Sequence, residues 1–403
     1  MHTADVVVVG GGPAGAAAAT ALARQGRDVM VVDRATFPRD KICGDGLTAG
    51  ALRILDDLGL DPSQIPSWKP VDDVVVRSPS GHEVTFPLPR GAGLYAVVAR
   101  RADLDLALLD VARSAGAKVH HGHACTAAVE RDDRVVLEVE GIGSVAARYA
   151  VAADGMWSPM RKHLGIAVPG YRGEWHAFRQ YFTGVGPRAR DDLFVWFEPD
   201  LLPGYAWSFP LTDGRANVGF GIQREGGTVA RVQDMGPLWP QLLSRPHIAD
   251  VLGPDARPES PHRAWPIPAR VDDIVLATRR TLFVGDAAAA TDPMTGEGIG
   301  QALLTGILAA EAIEDGGLDA PRVVATYEGA VRDALVADHR MSMLLIRALK
   351  HRKGARAAVR IAGATSWTRR NFARWLFEDY PRSIIATPRR WKRGRLTGPG
   401  TFR

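Results

Sequence analysis

The chain has 403 residues, 46% of them hydrophobic and 24% charged, with a formal net charge of +5; this fits a globular protein too large for one small core. It has no apolar run of the ~18 residues that a membrane-spanning helix requires, and its first ten residues lack a basic export signal, so a cytoplasmic protein is expected. Cys43 and Cys125 are too few for a disulfide framework or a closed cysteine zinc site.

In chain order, Val6 to Val9 is a β-branched run suited to a strand covered on both faces of a parallel sheet. Gly10-Gly11-Gly12-Pro13-Ala14-Gly15 follows, then an alanine-rich helix to about Gln25 and a second strand from Asp28 to Val32, closed by Asp33 and Arg34. This βαβ opening satisfies G-x-G-x-x-G through Gly10, Gly12 and Gly15, with Pro13 and Ala14 beginning the helix. Glycines let the backbone approach a pyrophosphate at a helix N-terminus, and a carboxylate at the strand end accepts hydrogen bonds from ribose hydroxyls. An acid at position 33 disfavours an adenosine 2′-phosphate. FAD or NAD is therefore expected here in preference to NADP.

Residues 34 to 50 form a polar, glycine-containing loop, longer than an ordinary connection and for that reason a candidate for function. A helix from about Ala49 to Leu58 follows, then short strands at Val74 to Val76, His82 to Phe86 and Leu94 to Val98. Arg101 to Ala115 returns as a helix, and Val135 to Val139 with Ala146 to Ala152 reads as a hairpin ending in Asp154-Gly155. From about Arg172 to Pro268 the pattern is strand-like and tryptophan-rich, with helical character near Val229 to Leu243. Thr281 to Val284 is a strand running into Gly285-Asp286, Gly298 to Glu314 is a helix, and residues 325 to 380 are mostly helical.

These elements predict an α/β fold: a Rossmann-like FAD-binding domain with a β-sheet-rich substrate domain inserted and a helical C-terminal region. The FAD-binding domain takes residues 1–65, 100–165 and 270–330, the substrate domain 66–99 and 166–269, and the basic helical region 331–403. FAD is separated from NAD by the downstream segment. Asp286 at a strand end can accept bonds from ribityl hydroxyls, and the turn through Pro293, Gly296 and Gly298 sets a helix N-terminus beside the flavin pyrimidine.

Taken together, Gly10 to Gly15, Asp154-Gly155 and Gly285-Asp286 resemble the FAD-dependent group that contains aromatic-ring hydroxylases, flavin halogenases and geranylgeranyl reductases. Pro38-Arg39-Asp40-Lys41-Ile42-Cys43-Gly44-Asp45-Gly46 is similar to the P-x-x-K-x-C-G-x-G loop of the geranylgeranyl reductase family. Tyr205-Ala206-Trp207-Ser208-Phe209-Pro210, continuing to Gly219 and Gly221, resembles that family's Y-x-W-x-F-P…G-x-G segment. The resemblance runs to about residue 315. It implies that Arg39, Lys41, Arg101 and Asp154 contact the cofactor, that Cys43 lies close to the flavin ring, and that Tyr205, Trp207 and Phe209 line an apolar substrate cavity. Each has a plainer alternative: an inert buried thiol, sheet core, or helix-cap charges.

No second strand-associated G-x-G-x-x-G is present, so NAD(P)H or a reduced electron carrier must reach the flavin from the substrate side. Reduced FAD can pass hydride to an alkene of an isoprenoid, or activate O2 to hydroxylate or epoxidise a bulky terpenoid, indolic or aromatic metabolite. Both remain open, with a hydrophobic small molecule as substrate in either case. Flavin halogenases carry W-x-W-x-I-P where this chain has YAWSFP. His120, His121 and His123 crowd together without completing a metal pattern, and no metal is expected.

Charge is uneven along the chain. From Arg347 onward there are 16 Lys and Arg against Glu378 and Asp379, a local +14 that leaves the first 346 residues at −9. Trp367, Phe372, Trp375, Leu376, Phe377 and Trp391 interrupt these cations. That mixture suits peripheral contact with an anionic membrane better than nucleic acid; a solvated helical cap packed on the body is the alternative.

Overall fold

The computed structural model describes residues 1–227, 231–377, 381, 383 and 398–402. Two large sheets and a set of helices organise it. The first sheet has the strand order Lys118–His121, Val29–Asp33, His2–Val9, Gly143–Ala152, Val135–Val139, Cys125–Glu130, with Thr281–Phe283 added beside the far half of Gly143–Ala152. Five of its strands run parallel, from Lys118–His121 at one edge through Gly143–Ala152 to Thr281–Phe283, and Val135–Val139 and Cys125–Glu130 add to it antiparallel. Val6 to Val9 and Val29 to Val32 are all buried, as their uninterrupted apolar runs require. Helices Pro13–Arg24 and Ile299–Gly316 pack together on this sheet through small residues. A Cβ at Gly306 would stand 2.2 Å from the Ala14 carbonyl oxygen, so only glycine permits that approach.

The second sheet joins two distant stretches of sequence. Asp73–Arg77 and Glu83–Pro87 pair onto Leu193–Trp196, which continues antiparallel through Tyr205–Pro210, Arg215–Gln223 and Trp175–Thr183. One expected strand belongs elsewhere: Ala96–Val98 pairs with Gly46–Thr48 and Lys69–Pro70 in a small third sheet. The loop after the second strand is thus tied down at its end, where the Asp45 carbonyl accepts the Ala99 N–H at 3.0 Å. The hairpin at residues 135 to 152 forms as expected, whereas the edge strand Cys125–Glu130 lacked a clear apolar alternation and was missed. The helix expected near 229 to 243 starts at Met235, and residues 228–230 lie outside the described residues.

The C-terminal region forms helices Ala320–Val331, Ala337–Leu349, Arg352–Ala362 and Ser366–Leu376. Helix Arg352–Ala362 buries Ala355, Val359 and Ala362 at helical spacing and turns its cations outward. Trp391 and most of the last basic stretch lie outside the described residues. No helix among the described residues is long and apolar enough to cross a membrane.

Candidate active site

The three motif glycines serve different ends. A Cβ at Gly15 would stand 1.8 Å from the Gly10 carbonyl oxygen, and one at Gly10, where φ is +109°, 2.2 Å from the Ala153 carbonyl oxygen. These two glycines let strand, helix and the Asp154 turn converge. Gly12 instead opens onto a cavity, with Arg39 Nη2 at 3.5 Å and Arg101 Nη2 at 3.8 Å from where its Cβ would be. As N-cap of helix Pro13–Arg24, Gly12 places no side chain over the first-turn N–H groups. A helix N-terminus faced by two guanidinium groups fits a pyrophosphate.

One buried carboxylate holds both arginines. Arg101 binds Asp105 through Nε and Nη2 at 2.7 and 2.8 Å, and Arg39 Nη1 reaches the same group at 2.9 Å. Burial opposes the Arg101 charge, but Asp105, with Cys43 adding to it, more than offsets this and holds the pKa above its ordinary value. Asp33 carries a task beyond the expected one: its two oxygens accept the Gly11 and Ala35 N–H groups, each at 2.7 Å, and so pin the glycine turn. It still borders the cavity with Pro13, Ala14 and Arg34, where a ribose would meet its other lone pairs.

Asp286 stands 3.7 Å from Lys41 Nζ, and that ammonium lies over the Trp265 ring at 4.5 Å. Burial lowers the Lys41 pKa. The Gly285 N–H donates to Thr305 Oγ1 at 2.9 Å, fixing the strand end on helix Ile299–Gly316. The turn before that helix is held by Asp292, which accepts from the Met294 and Thr295 N–H groups at 3.0 and 2.9 Å and from Ser342 at 2.6 Å. Pro293, Gly296 and Gly298 thereby line the cavity. Asp154 borders the cavity too, yet its carboxylate turns into its own loop, accepting Ser158 Oγ at 2.7 Å and the Met160 N–H at 2.8 Å. Burial pushes its pKa up to about 6.

The cavity, of about 860 Å³, continues from these residues to Cys43, Tyr205, Trp207 and Phe209. Alternation along strand Tyr205–Pro210 puts the three aromatic rings on one face, with centroids 6.1 and 6.0 Å apart in succession. Tyr205 donates to the Thr295 carbonyl. Trp207 lies in a trough made by the paired strand: a Cβ at Gly219 would stand 2.4 Å from its ring, which gives the G-x-G segment its physical reason. Phe209 covers Gly44 and Gly46, 3.2 and 3.4 Å from their absent Cβ positions. Burial raises the Cys43 pKa, so its sulfur stays a protonated thiol at neutral pH.

Sequence reasoning missed three groups at the site. Asp105 is the buried counter-ion of both arginines, signalled only by its i,i+4 spacing from Arg101. Asp45 and Asn217 bridge the thiol loop to the aromatic strand. The far wall comes from the C-terminal helices through Leu345, Leu349, Val359, Phe372 and Trp375.

A family model described as FAD binding domain matches residues 3–200. The chain is 37% identical over 342 residues to menaquinone reductase of Mycobacterium tuberculosis, covering 77% of each protein. It is 32% identical over 325 residues to digeranylgeranylglycerophospholipid reductase 2 of Methanopyrus kandleri, covering 77% of this chain and 78% of the relative. The chain belongs to the geranylgeranyl reductase family of FAD-dependent oxidoreductases. A crystal structure of a geranylgeranyl bacteriochlorophyll reductase-like protein from Thermoplasma acidophilum shares the fold, with a TM-score of 0.78 at 21% identity, covering 97% of this chain and all of that one. The protein is an enzyme that binds FAD, and the Gly12 face between Arg39 and Arg101 fits the cofactor's pyrophosphate.

Proposed function

We propose that the protein reduces carbon–carbon double bonds of an isoprenoid chain. The observation that carries this reading is a single cavity holding both the cofactor motifs and the half-buried thiol of Cys43 beside the aromatic strand. Bound FAD, once reduced, supplies the hydride. The chain's own residues do the rest. Arg39 and Arg101 would hold the pyrophosphate, and Asp286, paired with Lys41 at 3.7 Å, would accept from the ribityl hydroxyls. Tyr205, Trp207 and Phe209 orient the alkene and exclude water, and Cys43 Sγ holds the proton for the second carbon. The named activities of the 37% and 32% identical relatives support the same class of chemistry. Electrons arrive from NAD(P)H or a reduced carrier acting from the substrate side.

Product analysis tests the reading. Reduced enzyme is given prenylquinones and prenylated glycerolipids, without oxygen and then under isotopically labelled oxygen. A product gaining two hydrogens in both conditions supports reduction. Incorporation of labelled oxygen establishes the monooxygenase alternative instead.

We also propose that substrate enters from an anionic membrane surface. From Arg340 to Phe377 the sequence has ten Lys and Arg and no Asp or Glu. Leu344, Ile361 and Trp367 are 57%, 70% and 59% exposed on the helices that wall the cavity. Anionic vesicles are expected to sediment the protein, and Lys353→Glu with Arg356→Glu to release it while leaving FAD bound. Equal sedimentation of both proteins removes the proposal.

A further inference from the structure

Asp45 is fully buried between the thiol loop and the second sheet. Its Oδ2 accepts from Tyr181 Oη at 2.6 Å and from Asn217 Nδ2 at 2.8 Å, whereas its Oδ1 is buried without a partner. Asn217 does more than bind Asp45. Its Nδ2 also donates to the Cys43 carbonyl at 2.8 Å, and its Oδ1 accepts the Trp207 indole N–H at 3.1 Å. The amide orientation is forced, since an indole N–H only donates and a backbone carbonyl only accepts. Strand register sets the cluster up: Asn217 pairs with Tyr181 on one side and Phe209 on the other, so all three side chains share a face.

Asn217 therefore touches the Cys43 backbone, the Trp207 ring and the Asp45 carboxyl at once. We propose that Asn217 and Asp45 are positioning residues of the reduction: Asn217 clamps the thiol loop to Trp207, and the charge on Asp45 sets how tightly. This rests on the reading that Cys43 and Trp207 serve alkene reduction. Both residues act through Cys43 and Trp207 and need no contact with substrate.

The surroundings make Asp45 titratable in a useful range. Burial pushes its pKa up to about 6, opposed by Arg179 and by the hydrogen bonds from Tyr181 and Asn217, with Arg101 adding to them. Arg100 faces it from the start of helix Arg101–Ser114, and Cys43 from its own loop. Above that pH the carboxylate takes charge-assisted bonds from Asn217 and Tyr181, and the loop is held. Below it the proton goes to the carboxyl, the two bonds become neutral, and the loop loosens. Because the folded pKa is raised above the unfolded one, the folded state binds the extra proton between about pH 4 and 6. The clamp is thus tightest where the buried charge costs the fold most.

Three variants separate the parts. Asp45→Asn keeps an acceptor for Asn217 and leaves the Cys43 bond intact, but cannot ionise. Asn217→Asp removes both donors, so the Cys43 carbonyl is released. The double variant Asp45→Asn with Asn217→Asp restores the bond between positions 45 and 217 and, like the single variant, keeps an acceptor for Trp207, but leaves the Cys43 carbonyl free. Two readouts are taken on FAD-loaded protein: N-ethylmaleimide labelling of Cys43, followed by peptide mapping, and anaerobic flavin reoxidation by a prenylquinone from pH 5 to pH 8, scored by loss of a prenyl double bond so that reduction of the quinone ring does not count.

All three variants are expected to keep FAD. Asn217→Asp and the double variant should label Cys43 several-fold faster at pH 7.5 and reoxidise the flavin on the order of 10²-fold more slowly, the scale of a misplacement near 1 Å. Wild type should show an inflection near pH 6 in the reoxidation rate, and Asp45→Asn a profile without it. Wild-type labelling and turnover in the double variant, or a retained inflection in Asp45→Asn, overturns the proposal. A variant that loses its FAD or its fold also counts against it, since the cluster is then structural. If no prenylquinone loses a chain double bond to the wild type, the reductase reading fails, and the labelling arm still judges the clamp.

Discussion

The two ends of the cavity are built from different materials. Around Gly10, Gly12 and Gly15 the wall is backbone, brought so close that two of the three absent Cβ positions fall within 2.2 Å of carbonyl oxygens. Around Cys43 and Trp207 the wall is side chain, carried on strands Trp175–Thr183, Tyr205–Pro210 and Arg215–Gln223 and on the C-terminal helices. A backbone wall tolerates almost no change and is written within a few consecutive residues. A side-chain wall can change its chemistry while the cofactor stays bound.

That contrast can be broken by substitution, starting with the largest effect. Gly15→Ala should cost more than about 4 kcal/mol or prevent folding, because its Cβ meets a carbonyl oxygen rather than a movable side chain. Gly12→Val should fold with a near-normal melting temperature but purify without FAD, as Asp286→Ala should; absorbance of the purified proteins checks both. Full flavin occupancy in both would contradict the assignment of the cofactor end.

Asp105→Asn should destabilise by about 3 kcal/mol in denaturant unfolding, since it leaves two guanidinium groups partly uncompensated. Cys43→Ala should retain FAD and the wild-type melting temperature while slowing alkene-dependent reoxidation about 10²-fold. Trp375→Ala, at the far wall, should raise KM about tenfold with kcat little changed. If Cys43→Ala or Trp375→Ala instead lost the cofactor, the two ends would not be separable.

The same contrast accounts for what the sequence made legible. The βαβ opening, the Gly285-Asp286 strand end and the turn through Gly296 and Gly298 could be read because each motif is local and its spacing carries the reason. Tyr205, Trp207 and Phe209 could be placed on one face by alternation alone. Asn217 could not, because its importance comes from a register that sets it beside Phe209 and Tyr181, residues eight and 36 positions away. Asp45 sat inside a recognised loop, but its burial depends on a sheet assembled much later in the chain. Val359, Phe372 and Trp375 fell in a region read for its charge, and their inward faces emerged only with the packing of helices Arg352–Ala362 and Ser366–Leu376.

The central claim is that one cavity brings the reduced flavin and an isoprenoid alkene together. It is tested most directly by following the flavin absorbance of photoreduced enzyme in an oxygen-free cuvette after a prenylquinone is added. The oxidised flavin spectrum should return in step with loss of a double bond from the prenyl chain. A flavin that stays reduced until air is admitted, or one that reoxidises while every prenyl double bond survives, would contradict the account.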